Sequence, residues 1–168
     1  MLKSEFLDNY LGQSTDELID LEKKYRTDSI VLAFEQALDQ KAYRIGTANL
    51  SNEEKVVLAI ESLEREVNNG GYDQYFINSS KGYASIIIDS LSLIGSKDGA
   101  RITQQAIDCL NITGEITEAE IDAIMNIEND ERANRLSECD AEYYQEVGDL
   151  SDKLFGFIHL NKEKIVLN

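Results

Sequence analysis

No proline occurs anywhere in the 168 residues, where average usage would supply roughly eight. Nothing therefore obliges a long helix to stop or kink, and the absence favours helix throughout. No window approaches the roughly 18 apolar residues that a membrane span needs, which excludes a transmembrane helix. Met1–Tyr10 has no apolar run behind a basic start, so a soluble, cytoplasmic, unexported protein is expected. Only two cysteines are present, Cys109 and Cys139, and neither has another cysteine or a histidine near it in a metal-ligand spacing. Two such thiols in a mid-sized chain read as small core hydrophobes rather than as a disulfide, and a reducing compartment suits them.

Catalytic signatures are equally scarce. His159 is the only histidine, set between Ile158 and Leu160 near the end of an apolar segment. No Gly-x-Ser-x-Gly elbow accompanies it, and neither cysteine joins it in a local signature. No glutamate stands three residues before it, as a two-metal site in a helical bundle would need. "NDERANRLSECD" lacks the central glycine and final glutamate of a calcium loop, and no Gly-x-x-x-x-Gly-Lys phosphate loop occurs. The expectation is a protein without catalysis, cofactor or metal.

What the sequence does have is helical periodicity. Ser14 with Glu17, Ser51 with Glu54 and Thr117 with Glu120 each form a capping box. Leu18, Leu21 and Tyr25 follow the first, and Val56, Val57, Ile60, Leu63 and Val67 follow the second at helical spacing. Asp28 is placed to cap a helix carrying Ile30, Phe34, Ala37 and Leu38. "GYASIIIDSLSLIG" is rich in β-branched residues, yet Ala84, Ile87, Leu91 and Ile94 recur at helical spacing and Gly95 sits where a C′ glycine belongs. Ala100, Ala106, Ile107 and Leu110 predict another helix that ends by Gly114, and Ile121, Ile124 and Met125 follow Thr117. Ala141, Tyr144 and Val147, then Leu150, Leu154, Phe157 and Ile158, mark the last two. No strand-length alternation appears. These signals predict an all-α, single compact domain over 1–168 with about seven to nine helices, burying roughly 70% of its unfolded surface.

"EVNNGGYDQYFINSS", residues 66–80, interrupts this pattern. Asn69 or Gly70 suits the left-handed position that closes one helix, Gly71 permits a tight reversal, and Asn78, Ser79 or Ser80 suits the cap of the next. Tyr72, Tyr75 and Phe76 would fill the angle. A helical corner accounts for these residue types; the competing reading is a small polar pocket at Asn69, Asp73, Gln74, Asn78 and Ser79 for a ligand or anion.

"NNGGYDQYFINSS" with "SLSLIG" shortly after resembles the acidic bacterial family typified by DNA-mimic protein nineteen. "LSECDAEYYQEVGDLSDKLFGFIHLN", with Asp140 and the paired aromatics Tyr143 and Tyr144, is similar to that family's closing pattern. The likeness covers about residues 50–162, leaving 1–49 as a helical N-terminal extension. It implies an all-helical fold, a homodimer and, for the typifying member, an acidic surface that occupies the DNA-binding face of a helix-turn-helix regulator. One of Tyr143 and Tyr144 is expected to pack inward and the other to remain for contact.

Charge has the distribution such a surface needs. The chain carries 32 acidic and 16 basic residues, net −16; residues 115–152 hold 13 acids against 2 bases, net −11. Elsewhere acids have helical partners four residues away, as Glu22 with Arg26 and Glu61 with Arg65, whereas Glu138, Glu142 and Glu146 have none at that spacing. Glu138, Glu142 and Glu146 repeat at i, i+4 and share a face if one helix carries all three. Glu118, Asp122, Glu128, Asp130, Glu131, Glu138, Glu142 and Glu146 are therefore the candidate phosphate stand-ins, for a basic DNA-binding partner such as a transcription factor. Nucleic acid itself is repelled. The alternatives are a small-molecule or peptide-binding module at the Asn-Gly-Gly corner, with acidity serving only solubility, and an immunity-type inhibitor of a basic nuclease.

Overall fold

The computed structural model describes residues 5–167. Among these are eight α-helices and no strand: α1 Thr15–Asp20, α2 Thr27–Ile45, α3 Asn52–Ile77, α4 Ile87–Leu93, α5 Lys97–Asp108, α6 Glu118–Met125, α7 Asp130–Glu146 and α8 Ser151–Leu160. The all-α expectation holds. By backbone proximity the described residues form two compact units, 5–61 with 151–167 and 62–150.

Local chemistry explains most of the boundaries. Ser14 and Glu17 cap α1 reciprocally, and Ser51 and Glu54 do the same for α3, at 3.0 and 3.1 Å. Thr117 accepts the Glu120 N–H at the start of α6. Gly95, with φ +79°, ends α4: its N–H donates to Ser92 and that of Ser96 to Leu91, a full Schellman closure. Three expectations shift. Asp28 lies inside the first turn of α2 rather than at its cap. The β-branched run begins with a 3-10 turn, Ser79–Tyr83, so that α4 starts only at Ile87. The reversal after α5 falls at Asn111, φ +53°, before Gly114.

In the first unit α2 packs against α1 and α8, burying Leu18, Phe34, Leu38, Val57, Leu154 and Ile158. Glu54 does more than cap: Lys41 Nζ, itself 2.7 Å from the Val166 carbonyl, lies 2.7 Å from Glu54 Oε1, which also accepts the Val166 N–H at 2.9 Å. One buried carboxylate thus starts a helix and fastens the chain's last described residues.

In the second unit α5 packs on both α4 and α7. Ile87, Leu91, Ile102, Ala106, Leu136 and Tyr143 form its interior with Tyr72, Tyr75 and Phe76. Tyr72 meets Tyr143 edge-on at 6.0 Å, and its hydroxyl lies 2.7 Å from that of Thr103.

Candidate functional site

The corner forms where it is expected, by different residues. Within α3 only Gly70 and Gly71 leave helical geometry, and the positive φ, +76°, belongs to Gly71. Asn69 stays helical. A side chain at Gly71 is impossible without rearrangement, because its Cβ would lie 2.2 Å from Asp140 Oδ2. Asp140, on α7, instead accepts the Tyr72 N–H at 2.7 Å. Two segments nearly 70 residues apart in sequence are thereby joined: the glycine leaves room for the carboxylate, and the carboxylate takes an amide that the broken helix leaves without a partner. Burial pushes the Asp140 carboxyl above its ordinary range, opposed by the Tyr72 N–H and helped by the charge of Asp73.

Glu66 holds the other side of the corner. This buried carboxylate accepts hydrogen bonds from Gln74 at 2.7 Å, Asn78 at 2.8 Å and Ser80 at 3.1 Å. Burial alone would raise its pKa; the three donors and the Arg65 charge outweigh it, leaving the carboxyl below its usual value. Asn78 and Ser80 therefore bind a side chain rather than cap a helix, and Ser79 is exposed. Asp73 is also exposed, while Tyr72 and Phe76 are fully buried. Of the polar groups proposed for a pocket, Gln74 and Asn78 are spent on Glu66, and Asn69, Asp73 and Ser79 are exposed. A concavity of about 430 Å³ beside Gln104, Ile107 and Asn111 shares no lining residue with the corner.

The inward aromatic is Tyr143, 2% exposed; Tyr144 is half-exposed and donates to the Val67 carbonyl at 2.5 Å. His159 lies exposed on α8, edge-on to Phe155.

α7 carries most of the acidic candidates, and its extent was legible only in part. Asn129 caps it by accepting the Arg132 N–H at 2.8 Å, so one 17-residue helix runs unbroken from Asp130. Glu138, Glu142 and Glu146 consequently share it with Glu131. At 100° and 1.5 Å per residue these four fall within about 80° of one face and span about 22 Å. The face is roughly perpendicular to the buried one formed by Leu136, Cys139 and Tyr143. Asp130 and Glu131 sit in the first turn, where the helix dipole favours negative charge. Glu118 and Asp122 are exposed on α6, and Glu128 on the link to α7.

The row is not without cations. Arg101, on α5, reaches Glu142 at 2.6 Å and Glu146 at 2.5 Å, and Lys81 reaches Asp122 at 2.6 Å. The hydrogen bond to Glu142, then the charges of Glu142, Glu146 and Asp98, raise the Arg101 pKa further. Spacing along one helix shows no partner for Asp122, Glu142 and Glu146 because theirs come from other elements, whereas Glu131 has Arg135 four residues on in α7.

Among the described residues, eight helices, a strongly acidic stretch over 115–152 and a corner clamped by Glu66 and Asp140 define an acidic all-helical protein with a carboxylate-lined helix. Residues 48–161 match the model of the DMP19-like protein family, and this chain belongs to that family. Neither a curated protein nor a solved structure matches the chain significantly. Among the described residues no helix is long and apolar enough to cross a membrane, and no cluster of three or more His, Cys, Asp or Glu is arranged to hold a metal.

Proposed function

We propose that this protein acts without catalysis, in the cytoplasm, by offering its acidic helical surface to the basic nucleic-acid-binding face of a partner such as a helix-turn-helix regulator. The observation that carries the reading is the row on α7: Glu131, Glu138, Glu142 and Glu146 lie on one face of a single helix, inside the region of net −11. Steps of about 6 Å between Glu138, Glu142 and Glu146 approximate two phosphate steps of one DNA strand, at about 3.4 Å each. Arginine and lysine side chains placed to meet phosphates meet carboxylates in the same way. Glu118, Asp122, Glu128 and Asp130 extend the surface. Membership of the DMP19-like family supports the reading.

The main gain is kinetic: a concentrated field steers association, by about 10- to 10³-fold at low salt. Direct binding to nucleic acid is disfavoured by the same field. Self-association into a homodimer belongs to the proposal, with exposed Leu93 and Ile127 supplying apolar surface. The corner serves as scaffold, since Glu66 and Asp140 engage Gln74, Asn78 and the Tyr72 N–H within the fold.

Affinity capture from a lysate of the source cell, at low and high salt, tests the proposal. Glu131→Lys with Glu138→Lys reverses charge on the row without placing lysine against Arg101. Asp8→Lys with Glu163→Lys is the control of equal charge, made at exposed positions in the other unit. DNA-binding proteins should be recovered by wild type and control at low salt and lost from the row variant. Equal recovery by both variants overturns the mimicry. Recovery of a nuclease alone assigns the surface to inhibition of that enzyme.

A further inference from the structure

Cys109 and Cys139 are 30 positions apart, and the fold brings them together. Cys109 ends α5 and Cys139 lies in the middle of α7, the two helices being packed on each other. Both are buried free thiols. Both line one cavity of about 190 Å³, with Gln105, Arg135, Glu138 and Glu142. The Cys109 thiol donates to the Gln105 carbonyl at 3.2 Å, and Cys139 faces the same cavity from α7. A solvent-connected cavity beside two adjoining thiols is the setting in which oxidation of one is followed by capture by the other.

We propose that Cys109 and Cys139 form an oxidisable pair which a hydroperoxide closes to an intramolecular disulfide between α5 and α7. One thiolate attacks the peroxide O–O bond, giving a sulfenic acid and releasing water after protonation of the departing oxygen. The second sulfur then attacks the sulfenic sulfur, forming the S–S bond and releasing another water. In total two thiols lose two hydrogens and one hydrogen peroxide becomes two waters. The cavity is several times the roughly 30 Å³ that one water occupies in the liquid, enough for peroxide.

Burial pushes the Cys139 thiol up to about 12, with Cys109, Glu142 and Asp140 adding to the rise. Cys139 therefore rests as the protonated thiol at neutral pH, and closure accelerates with pH because the thiolate is the nucleophile. The bond would pin the helix that bears Arg101 to the helix that bears the acidic row.

Hydrogen peroxide applied to the reduced, folded full-length protein tests it, followed by alkylation in denaturant and intact mass analysis. The expected product is a monomer lighter by about 2 Da that has lost both alkylatable thiols together. Non-reducing digestion should yield a peptide joining Cys109 to Cys139, faster at pH 9 than at pH 7. Cys109→Ser and Cys139→Ser should each retain oxygen adducts and never show the 2 Da loss. Two thiols still alkylated in the wild type, independent oxygen adducts on each, disulfides between chains, or closure only in urea would each overturn the proposal.

Discussion

Gly71 and Asp140 occupy the same space from opposite sides, one by lacking a side chain and the other by filling the gap. Substituting Gly71→Ala places a Cβ at φ +76° and 2.2 Å from the carboxylate, which must move and abandon the Tyr72 N–H. The left-handed strain and the lost hydrogen bond together should cost about 2–4 kcal/mol. Urea unfolding measures it, and a change under 1 kcal/mol would show that the corner relaxes freely. Glu64 makes a different prediction. Burial pushes its carboxyl up to about 7, against the Leu150 N–H that it accepts at 3.2 Å and with the Asp149 charge adding to the rise. A raised carboxyl favours folding below the unfolded value near 4.5, and that benefit is lost as pH rises towards 7. The loss amounts to about 3 kcal/mol. Glu64→Gln, which keeps an acceptor for Leu150, should match wild type within about 1 kcal/mol at pH 5 and exceed it by up to about 3 kcal/mol at pH 8. A stability difference that does not vary over that range would refute the assignment.

At the scale of elements, α7 depends on α5 for more than apolar contact. Like charges four residues apart disfavour a helix, and Glu138, Glu142 and Glu146 are such a series. Arg101 relieves it by bridging the last two from a neighbouring helix. Removing the cation in Arg101→Gln should therefore lower the urea midpoint at low salt, with the deficit shrinking near 1 M salt as screening replaces the arginine. A deficit independent of salt would mean that Arg101 acts through packing alone. α7 also shows why its first half was hard to read. From Asp130 to Ser137 only Leu136 is buried, so the apolar periodicity that marks the other helices is missing, and the helix is declared by the Asn129 cap. α4 errs the other way: Ala84, Ile87, Leu91 and Ile94 are all buried as their spacing predicts, but the first turn is 3-10 and the α-helix starts later.

For the whole molecule the governing quantity is a net charge of −16. Self-repulsion opposes compactness and is screened by salt, so thermal stability should rise between about 10 mM and 300 mM sodium chloride. A melting temperature unchanged or falling over that range would mean that ion pairs such as Lys41–Glu54 outweigh the repulsion. The same field confers the salt dependence predicted for partner capture, whereas the unfolding experiment needs no partner.

The amino-acid sequence alone determined the helical class, most helix ends and the region of acid excess. These depend on residues within a few positions of one another: Ser51 with Glu54, Thr117 with Glu120, Gly95 after Leu91. Tertiary structure decided what those elements do to each other. Only folding sets Arg101 against Glu142 and Glu146, Asp140 against Gly71 and Cys139 against Cys109, contacts across 30 to 69 positions. Glu66 shows the limit at shorter range: its donors lie 8 to 14 residues away, beyond any helical repeat, and converge only because Gly71 turns the chain back on itself. Local stereochemistry is written in neighbouring residues, while the pairing of charges and thiols depends on where the backbone returns.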